Sequence, residues 1–189
     1  DVPLRRDEFT ALRDLAAQKA WLAEHGIPNP YFPVHEGVAG AHTIIGGRDY
    51  LNFSSYNYLG LNGHPAVTAA AKAAIDRYGT TVSASRIVSG ERPLHRELEA
   101  ELAAFTGCED ALVLVSGHGT NVTVIADLVR AGDVVFHDAH IHNSALLGAK
   151  ASGAKRISFP HNDWRRLDEL LTAHRGSYRH ALIPVSYTH

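Results

Sequence analysis

The sequence predicts an α/β protein built on a mostly parallel sheet flanked by helices, and two observations carry that expectation. From Ala111 onward, short apolar runs at 111–115, 134–137, 155–159 and 180–183 alternate with amphipathic stretches near 119–130, 142–152 and 164–173. Strand–helix alternation of this kind makes parallel crossover units, whose ligands bind at the carboxyl ends of the strands. The second observation is where the polar clusters fall. Ser116-Gly117-His118-Gly119-Thr120-Asn121 follows the first apolar run, and His137-Asp138-Ala139-His140-Ile141-His142 closes the second.

The amino-terminal part is organised differently. Residues 7–24 place Phe9, Leu12, Leu15, Ala16, Lys19 and Leu22 at near-helical spacing, and Gly26 with Pro28 ends the pattern. The proline- and glycine-rich stretch from Asn29 to Gly40 reads as a linker. His42–Ile45, the pair Gly46-Gly47 and Arg48–Phe53 read as a β-hairpin with a two-residue turn. Pro65 opens a helix through Tyr78, because proline is pre-shaped for a first helical position. Pro93 opens another, with Leu94, Leu98, Leu102 and Phe105 on one stripe.

Composition narrows the class without naming a function. Hydrophobic residues make up 45% of the 189, enough for a real core. The 18 basic and 20 acidic residues are interspersed, so there is neither a nucleic-acid footprint nor a polybasic membrane patch. A single cysteine, Cys108, excludes an internal disulfide framework. With no apolar run of membrane-spanning length and no secretory segment, the cytoplasm is the expected location.

The two clusters each have an ordinary and a chemical meaning. Glycine is common between strand and helix for conformational reasons alone. A glycine turn that opens a helix also offers free backbone N–H groups to a phosphate. The spacing fits neither a P-loop nor a dinucleotide fingerprint, so a smaller phosphate ester is the better ligand. In the second cluster, His137, Asp138, His140 and His142 suggest a metal-dependent hydrolase. Against it, the apolar run ends at Phe136, and Asn143-Ser144 looks like a helix start, so the imidazoles would not share a strand face. A phosphate held by one cluster and a flat ring facing a histidine from the other suit pyridoxal phosphate.

Taken in order, the segments resemble the α-oxoamine synthases, a family of fold-type I pyridoxal-phosphate enzymes. The resemblance runs from about Tyr50 to Ile183. It rests on Asn57-Tyr58-Leu59-Gly60, Ser85-Arg86-Ile87-Val88-Ser89-Gly90, His95-x-x-Leu98-Glu99, the Ser116-Gly117-x-x-x-Asn121 turn and Asp138-x-x-x-His142-x-Ser144. It implies a fold-type I aminotransferase-like large domain and a pyridoxal 5'-phosphate cofactor. The implied reaction condenses an amino acid with an acyl thioester of coenzyme A or acyl carrier protein, usually with decarboxylation, to an α-amino ketone. It further implies that Ser116, Gly117, His118, Gly119, Asn121 and Asp138 bind the cofactor while His142 stacks on its ring. Asn57 would touch the amino acid, and Thr80, Thr81, Ser83 and Ser85 would reach the cofactor phosphate of a neighbouring subunit in a homodimer. His118 stands where the family usually has an aromatic, and the hydroxyl loop carries less glycine than usual.

None of Lys19, Lys72, Lys150 and Lys155 sits in the family's lysine motif, so the expectation is a truncated, inactive piece of the enzyme. A non-catalytic partner subunit is the other alternative. The expected layout is an amino-terminal helix, linker and hairpin start over 1–48, a partial cofactor-binding domain over 49–183, and a non-native tail over 184–189. That tail, Pro184-Val185-Ser186-Tyr187-Thr188-His189, equals the translation of CCTGTCTCTTATACACAT, a transposon-end adapter sequence.

Overall fold

A computed structural model describes residues 9–185. The first two positions of the expected amino-terminal helix and the last four residues of the expected tail lie outside the described residues. The chain divides into two compact units, Asp1–Gly90 and Glu91–His189.

In the first unit, α1 (Thr10–Glu24) buries none of its side chains. β1 (His42–Ile45) and β2 (Arg48–Leu51) pair antiparallel, with Ile45 opposite Arg48. The turn between them needs positive φ at both central residues, and Gly46 and Gly47 adopt 55° and 74°. The expected linker is partly structured, since Glu36 bridges to Ile44 on the outer side of the hairpin. α2 (Pro65–Tyr78) begins at the expected proline, with His64 Nδ1 accepting the Ala66 N–H. A π-helical turn, Arg86–Gly90, closes the unit.

The second unit holds the parallel sheet. Its elements are α3 (Pro93–Thr106), α4 (Gly117–Leu128), β3 (Val134–Asp138), α5 (Asn143–Ala151), β4 (Lys155–Phe159), α6 (Trp164–His174) and β5 (Ala181–Leu182). The strand order is β4-β3-β5, and both pairings are parallel. Central β3 is apolar on both faces because helices cover both. Val135 packs with Ile125, Val129, Ala145 and Ala149 of the α4–α5 side. Val134 and Phe136 point the other way, onto Phe159 and α6 Leu170. All three are fully buried, each contributing on the order of 1.5–3 kcal/mol.

Two expectations need correction. Residues 111–115 form no strand: none of the described strands pairs with them, and the Val113 N–H donates to the buried Glu99 carboxylate at 2.9 Å. Leu112 and Val115 are exposed. An apolar run becomes a strand only when a ladder partner takes its backbone groups, and here a side chain takes one of them. The glycine cluster is also not a loop before the helix. Ser116 caps α4 directly, so Gly117, His118 and Gly119 form its first turn. Among the described residues, no helix is long and apolar enough to cross a membrane.

Candidate functional site

The site begins at the amino terminus of α4. Ser116 Oγ accepts the Gly119 N–H at 3.0 Å, and the Ser116 carbonyl accepts both the N–H and the hydroxyl of Thr120. A helix leaves its first N–H groups without intrahelical acceptors. Ser116 takes that of Gly119, so the amides of Gly117 and His118 point out along the axis at the positive end of the helix dipole. No atom lies within 4 Å of where a Gly117 Cβ would stand, so a ligand can approach this backbone closely.

The loop after β3 supplies the facing imidazole. Asp138 shapes this loop, because its carboxylate accepts the His140 N–H at 2.7 Å and its carbonyl accepts the Ile141 N–H. The same carboxylate accepts the Asn162 N–H and His161 Nδ1–H, both at 2.9 Å, tying the loop after β4 to the loop after β3. Burial pushes the Asp138 carboxyl up, but the N–H groups of Asn162 and His140 and the His161 ring outweigh it and bring its pKa down to about 2. Expected as a cofactor contact, Asp138 has both oxygens committed to holding these two loops.

His142 then caps α5, its Nδ1 accepting the Ser144 N–H at 3.2 Å. The expected cap, Asn143-Ser144, is already inside the helix. α5 crosses α4 closely at Gly148, where a Cβ would lie 2.9 Å from Asn121 O, Val122 O and Ile125 Cβ. One turn earlier on the same face, Ser144 Oγ receives Asn121 Nδ2–H at 3.0 Å. The crossing therefore sets two helix starts side by side, and the His118 and His142 rings meet edge to face with centroids 6.2 Å apart. A crevice of about 220 Å³ opens beside them, lined by Asn121, Val124, Leu128, Ile141, His142 and Leu182 among others.

The structure thus brings Ser116–Asn121 and His142 together. The remaining candidates belong to the first unit. Asn57 spends its amide locally, donating to Ala39 O at 2.9 Å and accepting the Asn62 N–H at 3.0 Å. Thr81 Oγ1 accepts the Ser83 N–H, and Ser83 holds a left-handed φ of 55°. The Ser85 carbonyl accepts the N–H groups of Val88 and Gly90. A Gly90 Cβ would fall 2.1 Å from Ala84 O, so only glycine lets the chain turn back this tightly.

The metal arrangement does not form. His137 Nδ1 turns to the Asp138 carbonyl, His140 stacks on His161 with centroids 4.6 Å apart, and His142 Nδ1 is bound by Ser144. β3 ends at Asp138, so His140 and His142 share no strand face. Among the described residues, no group of three or more His, Cys, Asp or Glu could hold a metal ion. Sequence reasoning missed His161, Asn162 and Gly148 as supports of the site. Only the glycine inside an amphipathic helix offered a signal, because glycine there implies close packing.

Residues 48–189 match the family of class I and II aminotransferases. The chain is similar to the 8-amino-7-oxononanoate synthase of Methylobacterium nodulans, 46% identical over 77% of this chain and 38% of the relative. It is 42% identical to the enzyme of that name from Geobacter sulfurreducens, over 90% of this chain and 44% of the relative. Among solved structures, it superposes on Sphingomonas wittichii serine palmitoyltransferase with a TM-score of 0.86 at 30% identity, covering 92% of this chain and 44% of that one. The chain spans less than half the length of these relatives.

Proposed function

The chain belongs to the class I and II aminotransferase family, among the α-oxoamine synthases, and from that premise we propose that the protein is a pyridoxal-phosphate-dependent acyltransferase. As the full-length protein it joins an amino acid to the acyl group of a thioester, of coenzyme A or acyl carrier protein, and releases the free thiol, carbon dioxide and an α-amino ketone. The observation that carries this reading is the capped start of α4, whose His118 ring meets the His142 ring edge to face at 6.2 Å.

The residues present fit the cofactor's phosphate arm and one face of its ring. Gly117 and His118 donate their N–H groups to the phosphate, and the helix dipole adds to the attraction. His142 would lie against the pyridine ring, and Asp138 holds the loop that carries this histidine. Bound pyridoxal phosphate supplies an electron sink for the bond broken at the amino-acid Cα. Asn57 contacts the amino acid. Thr80, Thr81, Ser83 and Ser85 reach the phosphate in a neighbouring subunit of a cytoplasmic homodimer.

The cradle is tested by titrating the chain with pyridoxal phosphate and with pyridoxal, which lacks the phosphate. The phosphorylated form should bind the more tightly, and inorganic phosphate should compete with it. His142→Ala should weaken binding about fivefold, the worth of roughly 1 kcal/mol of ring stacking. Equal affinity for both compounds would remove the phosphate role from α4.

Gly119 gives a separate check. A Cβ there would lie 3.0 Å from Ser116 Oγ, so Gly119→Val should displace the cap and tilt the first turn of α4. Cap loss costs about 1 kcal/mol, and the same tilt should lower phosphate affinity severalfold in the titration. Unaltered affinity would make the turn purely structural.

A further inference from the structure

Ser144 is buried completely, yet its hydroxyl is joined to polar groups on both sides. Asn121 Nδ2–H reaches Ser144 Oγ at 3.0 Å, and Ser144 Oγ lies 2.6 Å from His142 Nδ1. The Ser144 backbone N–H points at the same Nδ1, at 3.2 Å. A backbone N–H can only donate, so Nδ1 must accept. A neutral imidazole that accepts at Nδ1 carries its proton on Nε2. Ser144 Oγ already receives the Asn121 N–H and has its own proton to give, and that proton also goes to Nδ1. The hydrogen bonds therefore run one way, from Asn121 through Ser144 to His142.

We propose that Ser144 is the positioning residue of this site: with Asn121 behind it, it fixes His142 as the Nε2–H tautomer and holds its ring plane. The proposal deepens the cofactor reading, since it says how the facing ring is kept in one state, but the hydrogen-bond direction stands without any ligand. Two donors converging on Nδ1 leave Nε2–H as the ring's only donor. The Asn121 amide keeps Ser144 Oγ from turning its proton away. Gly148 makes the arrangement reachable, because any side chain there would push α5 off Asn121.

The test is the ring-nitrogen spectrum of His142 in the ¹⁵N-labelled chain. It is recorded well above the ordinary imidazole pKa and assigned by comparison with His142→Gln. Wild type should show a protonated Nε2 and a bare Nδ1. Ser144→Ala removes the hydroxyl donor. Asn121→Asp replaces an amide that donates to Ser144 by a carboxylate that takes its proton, reversing the chain with almost no change of shape. In both variants the two ring-nitrogen shifts should move toward each other as the second tautomer appears. Backbone amide spectra confirm the fold of each, and if Ser144→Ala loses it, Asn121→Asp carries the test alone. A proton on Nδ1 in wild type overturns the proposal, as does a folded variant whose ring shifts match wild type. Pyridoxal phosphate failing to bind while the tautomer behaves as stated would refute the cofactor reading and leave this one standing.

Discussion

Replacing Gly148 by valine is expected to part α4 from α5 and to take the candidate site with them. Even the first side-chain carbon would lie 2.9 Å from two backbone oxygens of α4 and from Ile125 Cβ, and none of these is the yielding end of a flexible chain. Relief requires the helices to move apart, which opens the cluster of Ile125, Val129, Val135, Ala145 and Ala149. Overpacking of this sort costs about 1–3 kcal/mol, and in a unit of roughly 100 residues 2 kcal/mol lowers the melting temperature by on the order of 10 °C. The Asn121–Ser144 hydrogen bond should break in the same variant, together with the proximity of the His118 and His142 rings. Thermal melts and proton–proton contacts between those rings check both effects. A melting temperature within a degree of wild type would show that the crossing is more compliant than its distances imply.

The second large effect concerns Asp133, at the opposite end of β3. Its carboxylate is buried, with Arg179 Nε and Nη2 reaching its two oxygens at 3.0 and 2.9 Å. The backbone N–H groups of Arg130 and His180 donate to it as well. The Arg179 hydrogen bonds lead, and although burial opposes them, they and the backbone donors hold the carboxyl well below the usual carboxylate range. A depressed folded-state pKa stabilises the fold above the unfolded value, near pH 4, and that stability is lost as pH falls through the folded value. Asp138 acts in the same sense, down to about pH 2. Unfolding free energy should be level above about pH 5, then fall through pH 4 and keep falling below it. Asp133→Asn keeps one acceptor but turns N–H donors toward Arg179, and it should melt several degrees below wild type at pH 7. The gap should narrow as pH falls from 4 to 2. Denaturation at pH 7, 4 and 2 checks this, and a constant gap would count against a charged Asp133 clasp.

Much of both units is legible in the residues, because helix and strand periods are local. The runs at 134–137 and 155–159 become β3 and β4 almost to the residue, and prolines 65 and 93 open α2 and α3 as their fixed φ requires. Residues 111–115 mislead because a strand depends on a partner as much as on its own side chains, and here Glu99 takes the Val113 N–H. The histidine-rich stretch stays ambiguous in sequence, since four ligand-type residues close together say nothing about where their rings point. Its three-dimensional answer lies partly in His161 and Asn162, more than twenty residues on. Asp133 and Arg179 are still farther apart, and nothing about either residue alone announces the other.

The parallel order β4-β3-β5 also bears on the sequence of assembly. Val134 pairs with Lys155, 21 residues later, and with Ala181, 47 residues later. Closing the longer loop costs about 0.7 kcal/mol more chain entropy, because the penalty grows with the logarithm of loop length. β5 is two residues long and is clasped by Arg179, so it brings fewer ladder bonds to offset that cost. Chain entropy thus favours β4 docking on β3 first and β5 last. The groups that shape the candidate site sit on α4, the β3 loop, α5 and the loop after β4. All of them precede β5 in the chain, so they can come together before β5 docks and adds Leu182 to the wall of the crevice.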